Sequence, residues 1–236
     1  MRAKKNPPKE IRNPRSRLKR VEAPMYTGIV TGIALVQAIE DQAALRVLTL
    51  DFPETFCDDL ALGASVSVDG VCLTVAKILS PSRVIFDVMR PTLQITTLGQ
   101  IRVGESVNVQ RAAKTGTEIG GHLVSGHVDF STSLDAVTVC EGNKTLRFAL
   151  PSAFAPYVFS KGYICVNGAS LTVAVLNKAE GWFEVSLIPE TRRLTVFDQK
   201  QVGDRLNIEI DRQTQILVDT IKETLSEALK SYRFIE

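Results

Sequence analysis

The sequence predicts an all-β protein made of two tandem, homologous β-domains followed by a single amphipathic helix. The main observation is an internal repeat. The segment Val68–Val75 returns as Val166–Val173, and Thr27–Val30 returns as Ser125–Val128, each 98 residues later. Further matched pairs follow in the same order. This period is too long for a solenoid repeat of ~20–50 residues and fits a small domain that was duplicated and fused.

Short runs of β-branched residues, separated by turn residues, predict the strands of each copy. In the first copy these runs are Arg46–Leu50, Ser65–Val68, Val71–Val75 and Val84–Val88. Asp69-Gly70 lies between two of them, and Asn167-Gly168 holds the same place in the second copy. Both pairs favour type I′ hairpin turns, whose central residues need positive φ. About six such strands per copy indicate a closed barrel or a sandwich, without long helices between strands.

The end of the chain has a different period. From Thr214 the apolar residues recur every three or four positions, which predicts an amphipathic helix of about five turns. Nothing equivalent follows the first copy. The helix packs on its own barrel or forms an oligomer contact. The apolar residues are Leu217, Val218, Ile221, Leu225, Ala228, Leu229 and Tyr232.

Charge separates a leader from the repeated body. Residues 1–24 hold nine Lys and Arg against two Glu, whereas the rest of the chain holds 19 basic and 24 acidic residues. We expect residues 1–24 to be a disordered basic leader. Three explanations remain open: a non-native segment that results from a translation start assigned too far upstream, a solvated or anion-binding tail, or a targeting segment. The acidic body gives no reason to expect nucleic-acid binding. The predicted domains are residues 1–24 (leader), 25–121 (first barrel), 122–212 (second barrel) and 213–236 (helix and tail).

Several classes of protein are disfavoured by what the sequence lacks. No apolar run approaches the ~20 residues that cross a bilayer. The cysteines are far apart, without a CxxC pair, so we expect neither disulfides nor a metal site, and a cytoplasmic location. No dinucleotide fingerprint, phosphate-binding loop or hydrolase elbow is present. The four cysteines are Cys57, Cys72, Cys140 and Cys165.

Differences between the copies mark candidate site residues. Cys72 in the first copy corresponds to Ser170 in the second, and a Thr follows two residues later in both, which indicates two related pockets lined by a thiol or hydroxyls. These residues are also ordinary strand formers. Gly28 and Gly126 hold equivalent places, where glycine marks either a bulge or the close approach of a ligand or neighbour.

The two histidines of the chain, His122 and His127, share a Gly-rich segment where the copies join. Imidazole titrates near neutral pH and can shuttle protons. Lys161 either is a solvated strand-end lysine or binds an anionic or carbonyl-rich ligand. Asp211 stands directly before the predicted helix, where it is a helix cap or a site residue. Ser65 opens a strand and has no strong signal of its own.

These motifs together resemble the riboflavin synthase family, from Met25 to about Leu225. The segments that carry the resemblance are Met25–Val30, Gly70–Val75, Gly120-Gly121-His122, Ser125–Val128, Lys161-Gly162, Gly168–Val173, Ile188–Thr191 and Asn207–Asp211.

The resemblance implies two six-stranded Greek-key barrels, a C-terminal helix that helps to form a homotrimer, and association with lumazine synthase. Each barrel would bind 6,7-dimethyl-8-ribityllumazine. Two such molecules would be converted to riboflavin and 5-amino-6-ribitylamino-2,4(1H,3H)-pyrimidinedione, with no cofactor and no metal. The alternative is a non-catalytic antenna protein that binds a lumazine or flavin.

The family's site positions transfer residue by residue. Positions tied to turnover match Ser65, Cys72, His122, His127 and Asp211. The first pocket would use Gly28, Ile29, Val30, Cys72, Leu73, Thr74, Asp87, Val88, Met89, Arg90, Pro91 and Thr92. The second would use Gly126, His127, Val128, Lys161, Ser170, Leu171, Thr172, Leu187, Ile188, Pro189, Glu190, Thr191 and Arg192.

The chain departs from the family pattern at three places. Pro91 stands where the family usually has Glu, which removes a carboxylate from the first pocket and stiffens its rim. Tyr26 replaces the usual Phe and adds a hydroxyl near the site. Thr195–Asp198 replaces the usual Thr-Thr-Leu-Gly.

Overall fold

A computed structural model describes residues 25–140 and 142–232. The predicted leader, residues 1–24, lies outside the described residues, as do the last four positions of the predicted 213–236 segment. The described chain forms two closed, six-stranded antiparallel barrels and a C-terminal helix, which confirms the predicted all-β fold class. No helix in this part of the chain is both long and apolar enough to cross a membrane.

The first barrel has the strand order β1-β2-β5-β4-β3-β6, and β6 pairs with β1 to close it. Each predicted strand run lies within an observed strand. The strands are β1 (Gly32–Asp41), β2 (Leu45–Asp51), β3 (Ser65–Val68), β4 (Val71–Ile78), β5 (Arg83–Met89) and β6 (Ser106–Arg111).

The second barrel repeats this topology in the order β7-β8-β11-β10-β9-β12. The β-bulges are repeated as well, at Val75/Lys77 in β4 and at Val173/Val175 in β10. The strands are β7 (Phe130–Cys140), β8 (Asn143–Ala149), β9 (Tyr163–Val166), β10 (Ala169–Asn177), β11 (Trp182–Leu187) and β12 (Arg205–Ile210).

Alternating side chains fill the two barrel interiors. On β5, Val84, Phe86 and Val88 are buried, while Asp87 and Met89 between and after them face outward. This period-2 pattern is that of a strand with one buried face. Each barrel therefore has its own apolar core, and its outward residues remain available for a site.

Short helices of six residues follow β5 and β11. Helix α1 (Arg90–Ile95) and helix α2 (Pro189–Leu194) each carry a proline in the first turn, where its missing N–H costs no hydrogen bond. They are too short to show a helical period in the sequence. Helix α3 (Arg212–Tyr232) begins two residues before the predicted start.

The two barrels meet at a pair of hairpin turns related by an approximate twofold axis. The side-chain amide of Asn108 in the first copy donates to the Asn167 carbonyl oxygen, and that of Asn207 in the second donates to the Asp69 carbonyl oxygen, both at 2.9 Å. A Cβ placed on Gly70 would lie 2.7 Å from the Gly168 nitrogen. Only glycine therefore allows the turns to pack this closely.

Each barrel core is completed by a residue from the other copy. Val30, which precedes β1, packs in the core of the second barrel, and Val128, which precedes β7, packs in the core of the first. The segments before the two barrels are thus exchanged between them, so neither barrel is complete without the other copy.

Two equivalent faces as the candidate active site

The exchanged segments bring glycine backbones against the two residues that differ between the copies. The amide of Ser170 donates to the Gly28 carbonyl oxygen, and the amide of Cys72 donates to the Gly126 carbonyl oxygen, both at 2.8 Å. A Cβ on Gly28 would lie 2.5 Å from the Ser170 Cβ, and one on Gly126 would lie 2.6 Å from the Cys72 Cβ. Of the two readings of these glycines, the structure supports close approach.

This contact corrects our grouping of the two pockets. We assigned Gly28, Ile29 and Val30 to the first barrel, and Gly126, His127 and Val128 to the second. The structure places Gly28–Val30 against the second barrel and Gly126–Val128 against the first. The duplication explains the error, because each segment has two similar docking sites and its sequence does not distinguish them.

We define the Cys72 face as the outer surface of the first barrel formed by Cys72, Thr74, Asp87, Met89 and His127. The side chains of Thr74, Asp87, Met89 and His127 are exposed, and Cys72 is half-buried. Met89 exposes 55% of its surface, which is high for a large apolar residue. Within the residues that the structure describes, this face is therefore exposed.

The Ser170 face is the equivalent surface of the second barrel, formed by Ile29, Ser170, Thr172, Ser186 and Ile188. Ile29 exposes 43% of its surface and Ile188 exposes 61%. Thr172 and Ser186 are also exposed and flank the half-buried Ser170. Hydroxyls surrounded by apolar side chains are the lining that a flat, polar heterocycle would need.

A histidine distinguishes the Ser170 face. His122 Nδ1 lies 2.6 Å from Ser170 Oγ, and its ring stacks on Tyr163 at a centroid distance of 5.1 Å. Burial lowers the pKa of His122, while the charge of Asp211 acts to raise it. The imidazole is therefore neutral at physiological pH and can exchange a proton with the serine hydroxyl.

Asp211 has the structural role that we considered, and it also lies near His122. Its carboxylate accepts hydrogen bonds from the amide (3.0 Å) and the hydroxyl (2.6 Å) of Thr214, which caps the start of α3. Its charge acts on His122 from that position. One carboxylate thus connects the helix start with the histidine of the Ser170 face.

A buried glutamate holds the exchanged segment of the Cys72 face. Glu209 on β12 accepts hydrogen bonds from the amide and hydroxyl of Ser125, both at 2.7 Å, and from the Gly126 amide at 2.9 Å. Burial raises the pKa of Glu209, and these hydrogen bonds oppose the shift. The equivalent residue of the first copy is Gln110, whose Nε2 donates to Thr27 Oγ1 at 2.7 Å.

Sequence reasoning missed Glu209, although it lies inside the Asn207–Asp211 motif. The apolar residues of β12 predict a strand, but they do not show that the buried side chain of Glu209 binds the Ser125–Gly126 segment. The comparison of Gln110 with Glu209 between the copies was the available signal.

The remaining candidate residues are more peripheral. Lys161 is exposed, with a positive φ of 67°, and its amide donates to the Val173 carbonyl oxygen at 2.9 Å. Glu190 forms an ion pair with Arg193, and Arg192 forms one with Asp198. Arg90 donates to the carbonyl oxygens of the β1–β2 turn.

Pro91 and Glu190 occupy equivalent places in the first turns of α1 and α2, and both are exposed. Ser65 pairs with Thr74 across β3 and β4. Within the described residues, no three His, Cys, Asp or Glu side chains are grouped so that they could hold a metal ion. All four cysteines are free thiols.

Comparison with known proteins agrees with the duplication. A family model described as the lumazine binding domain matches residues 27–112 and again residues 125–211. Riboflavin synthase of Escherichia coli (strain K12) is 42% identical over 203 residues, which cover 86% of this chain and 94% of that protein. Riboflavin synthase of Chlamydia pneumoniae is 39% identical over 206 residues, which cover 87% of this chain and 100% of that protein.

Solved structures show the same fold at lower identity. The crystal structure of LumP complexed with 6,7-dimethyl-8-(1'-D-ribityl) lumazine matches with a TM-score of 0.72 at 20% identity, and covers 79% of this chain and 99% of that chain. The LumP complex with riboflavin matches with a TM-score of 0.73 at 21% identity. Both domain matches and the identity to the bacterial enzymes lead to one conclusion: the chain belongs to the riboflavin synthase family, with two lumazine-binding domains in tandem.

Proposed function

We propose that this chain is a riboflavin synthase. It converts two molecules of 6,7-dimethyl-8-ribityllumazine into one riboflavin and one 5-amino-6-ribitylamino-2,4(1H,3H)-pyrimidinedione. The observation that carries the proposal is the pair of equivalent faces, in which Cys72 and Ser170 each bond to a glycine of the other copy. Two similar faces suit a reaction whose two substrates are the same compound.

The differences between the faces suit different roles for the two lumazines. The methyl group on C7 of one lumazine is acidic, because its carbanion is delocalised into the ring. On the Ser170 face, neutral His122 accepts that proton through the Ser170 hydroxyl, and Asp211 stabilises the imidazolium that forms. The carbanion then attacks the second lumazine, which binds at the Cys72 face and gives up four carbons.

Holding two rings in register supplies much of the acceleration, because an intramolecular arrangement removes several kcal/mol of the barrier. Both faces are open in the single chain, with Met89 and Ile188 more than half exposed. A neighbouring copy that covers them would exclude water and bring two bound rings together. We therefore include a homotrimer in the proposal.

We also include a cytoplasmic location and contact with lumazine synthase. The cytoplasmic location is supported by four free thiols. The contact with lumazine synthase is supported by the substrate alone, since an enzyme that makes lumazine supplies what this one consumes.

Purified protein incubated with the lumazine under anaerobic conditions, without added cofactor, tests the activity. We expect one riboflavin for every two lumazines consumed, measured by flavin absorbance and fluorescence. Ser170→Ala should lower turnover at least tenfold, because it breaks the proton path to His122. Ser82→Ala, which changes a serine in the β4–β5 turn, is the matched control and should keep full turnover.

Binding of the lumazine without any flavin formation would instead support the antenna alternative; LumP, which has the same fold, was crystallised with this lumazine. The intact Ser170–His122 pair favours the enzyme, since an antenna protein needs no proton path.

A further inference from the structure

Tyr26 lies behind the Cys72 face and contacts Cys72 itself. Its ring is buried, and its hydroxyl donates a hydrogen bond to Cys72 Sγ at 3.1 Å. The phenol thus reaches a sulfur that lies 46 positions away in the sequence.

The surroundings of Tyr26 hold it firmly against the exchanged segment. Its amide donates to the Val124 carbonyl oxygen at 2.8 Å, and the Val124 amide donates back to the Tyr26 carbonyl oxygen at 2.9 Å. A Cβ placed on Gly126 would lie 3.0 Å from Cε2 of the Tyr26 ring, and the Gly126 carbonyl oxygen accepts a hydrogen bond from the Cys72 amide. The sulfur and the hydroxyl that faces it are therefore both fixed to residues 124–126.

The second copy has no such arrangement. Val124 stands 98 residues after Tyr26, at the equivalent place, and Ser170 is partnered by His122 instead. The hydroxyl at position 26 is thus a feature of one face only. It distinguishes the two faces as clearly as the change from Cys72 to Ser170 does.

The Tyr26 hydroxyl is a permanent donor. Burial, reinforced by the nearby Cys72 and Glu209, raises the pKa of Tyr26 far above its usual value, so the phenol keeps its proton. A hydroxyl that always donates holds a lone pair of the Cys72 sulfur towards Tyr26 and stabilises negative charge on that sulfur.

We propose that Tyr26 is a positioning residue for Cys72, whose Sγ it holds in one orientation beneath the substrate and supplies with a hydrogen-bond donor. This inference rests on the proposed function only in that Cys72 faces the substrate. The contact itself is independent of turnover, so it can be tested without substrate.

Tyr26→Phe keeps the ring and removes the donor. Without substrate, iodoacetamide should alkylate Cys72 about fivefold more slowly at pH 8, because charge that develops on the sulfur loses its donor. Site-resolved peptide mass spectrometry measures the rate, and exposed Cys140 is the internal control, whose rate should not change. An unchanged rate at Cys72, with the fold intact by thermal unfolding, would overturn the proposal.

Steady-state kinetics test whether the contact matters for turnover. Tyr26→Phe should lower kcat about threefold to tenfold and leave KM within about twofold. In a Cys72→Ala background the same change should have no further effect, because Tyr26 acts through the sulfur. If Tyr26→Phe lowered kcat by the same factor with and without Cys72, the proposal that Tyr26 acts through the sulfur would be overturned. Slower alkylation in a protein that forms no flavin would refute the proposed function and leave the Tyr26 contact standing.

Discussion

Asp69 is a buried carboxyl at the tip of the hairpin between β3 and β4, where the two barrels meet. Its Oδ1 accepts the Asn108 amide at 2.8 Å, and only 3% of the residue is exposed. Burial raises the pKa of Asp69 to about 7, although the charge of Lys200 acts to lower it. The equivalent Asn167 makes the same contact, since its Oδ1 accepts the Asn207 amide at 2.7 Å.

This shift makes the stability of the protein depend on pH. In the unfolded chain an Asp loses its proton near pH ~3.9, whereas folded Asp69 keeps it up to about pH 7. The free energy of unfolding therefore falls as the pH rises from about 4 to about 7, and this group changes it no further above that.

Asp69→Asn should remove this dependence, because an amide does not ionise and Asn167 shows that it fits. We expect the variant to be more stable than the parent at pH 8, by on the order of 1–3 kcal/mol, with no advantage at pH 4. Urea unfolding at both pH values measures the difference.

Asp51→Asn is the control with the opposite sign. Arg83 lowers the pKa of Asp51, so Asp51 stabilises the fold above pH ~4 and loses that effect as the pH falls. This variant should be less stable than the parent at pH 8. If Asp69→Asn were equally stabilising at pH 4 and pH 8, its contacts rather than its ionisation would be responsible.

The exchanged segments are the elements on which both faces depend. Gly126 has a φ of +78°, and a Cβ added there would meet the Cys72 Cβ at 2.6 Å and the Cys72 nitrogen at 2.9 Å. Gly104 has a similar φ of +88°, but no atom lies within 4 Å of an added Cβ. Substituting these two glycines in turn therefore separates the cost of a positive φ from the cost of a steric clash with Cys72.

Gly126→Ala should destabilise the protein by more than about 3 kcal/mol and lower turnover, because the segment must move off Cys72. Gly104→Ala should cost about 1–2 kcal/mol, from φ strain alone, and keep turnover. Thermal unfolding and steady-state rates of the two variants check this. Equal losses of stability would mean that the close contact with Cys72 is not needed for the fold.

At the scale of the whole molecule, α3 presents an apolar stripe that the described part of the chain leaves exposed. Ile216, Leu217, Ile221, Leu225 and Leu229 each expose half or more of their surface. A contiguous apolar patch of this kind usually marks an interface. We expect it to hold the proposed trimer together.

Replacing Ile221 and Leu225 by Glu should therefore give monomers that turn over poorly, because the open faces lose their neighbour. Replacing the exposed polar residues Thr220 and Ser226 by Glu adds the same charge to the same helix and should leave the oligomer intact. Light scattering and steady-state rates measure both variants. A fully active monomer would contradict a site shared between subunits.

Local patterns in the sequence predict much of this fold. The alternation of Val84, Phe86 and Val88, the Asp69-Gly70 turn and the spacing of Ile221 and Leu225 each concern neighbouring residues, so they identify strands, a hairpin and a helix without knowledge of the rest. The 98-residue repeat extends the same reading to the second barrel. The function was predicted from the resemblance of motifs such as Gly168–Val173 and Asn207–Asp211 to the riboflavin synthase family.

Only the tertiary structure shows which copy completes which face. Gly28 and Gly126 each have two similar partners in a duplicated chain, and the choice of the distant one depends on packing across both barrels. The contacts of Tyr26 with Cys72 and of His122 with Ser170 join residues 46 and 48 positions apart. Such contacts depend on how closely two backbone segments approach each other in three dimensions. Glycine conformation and side-chain volume set that distance, and both act between residues that are far apart in the sequence.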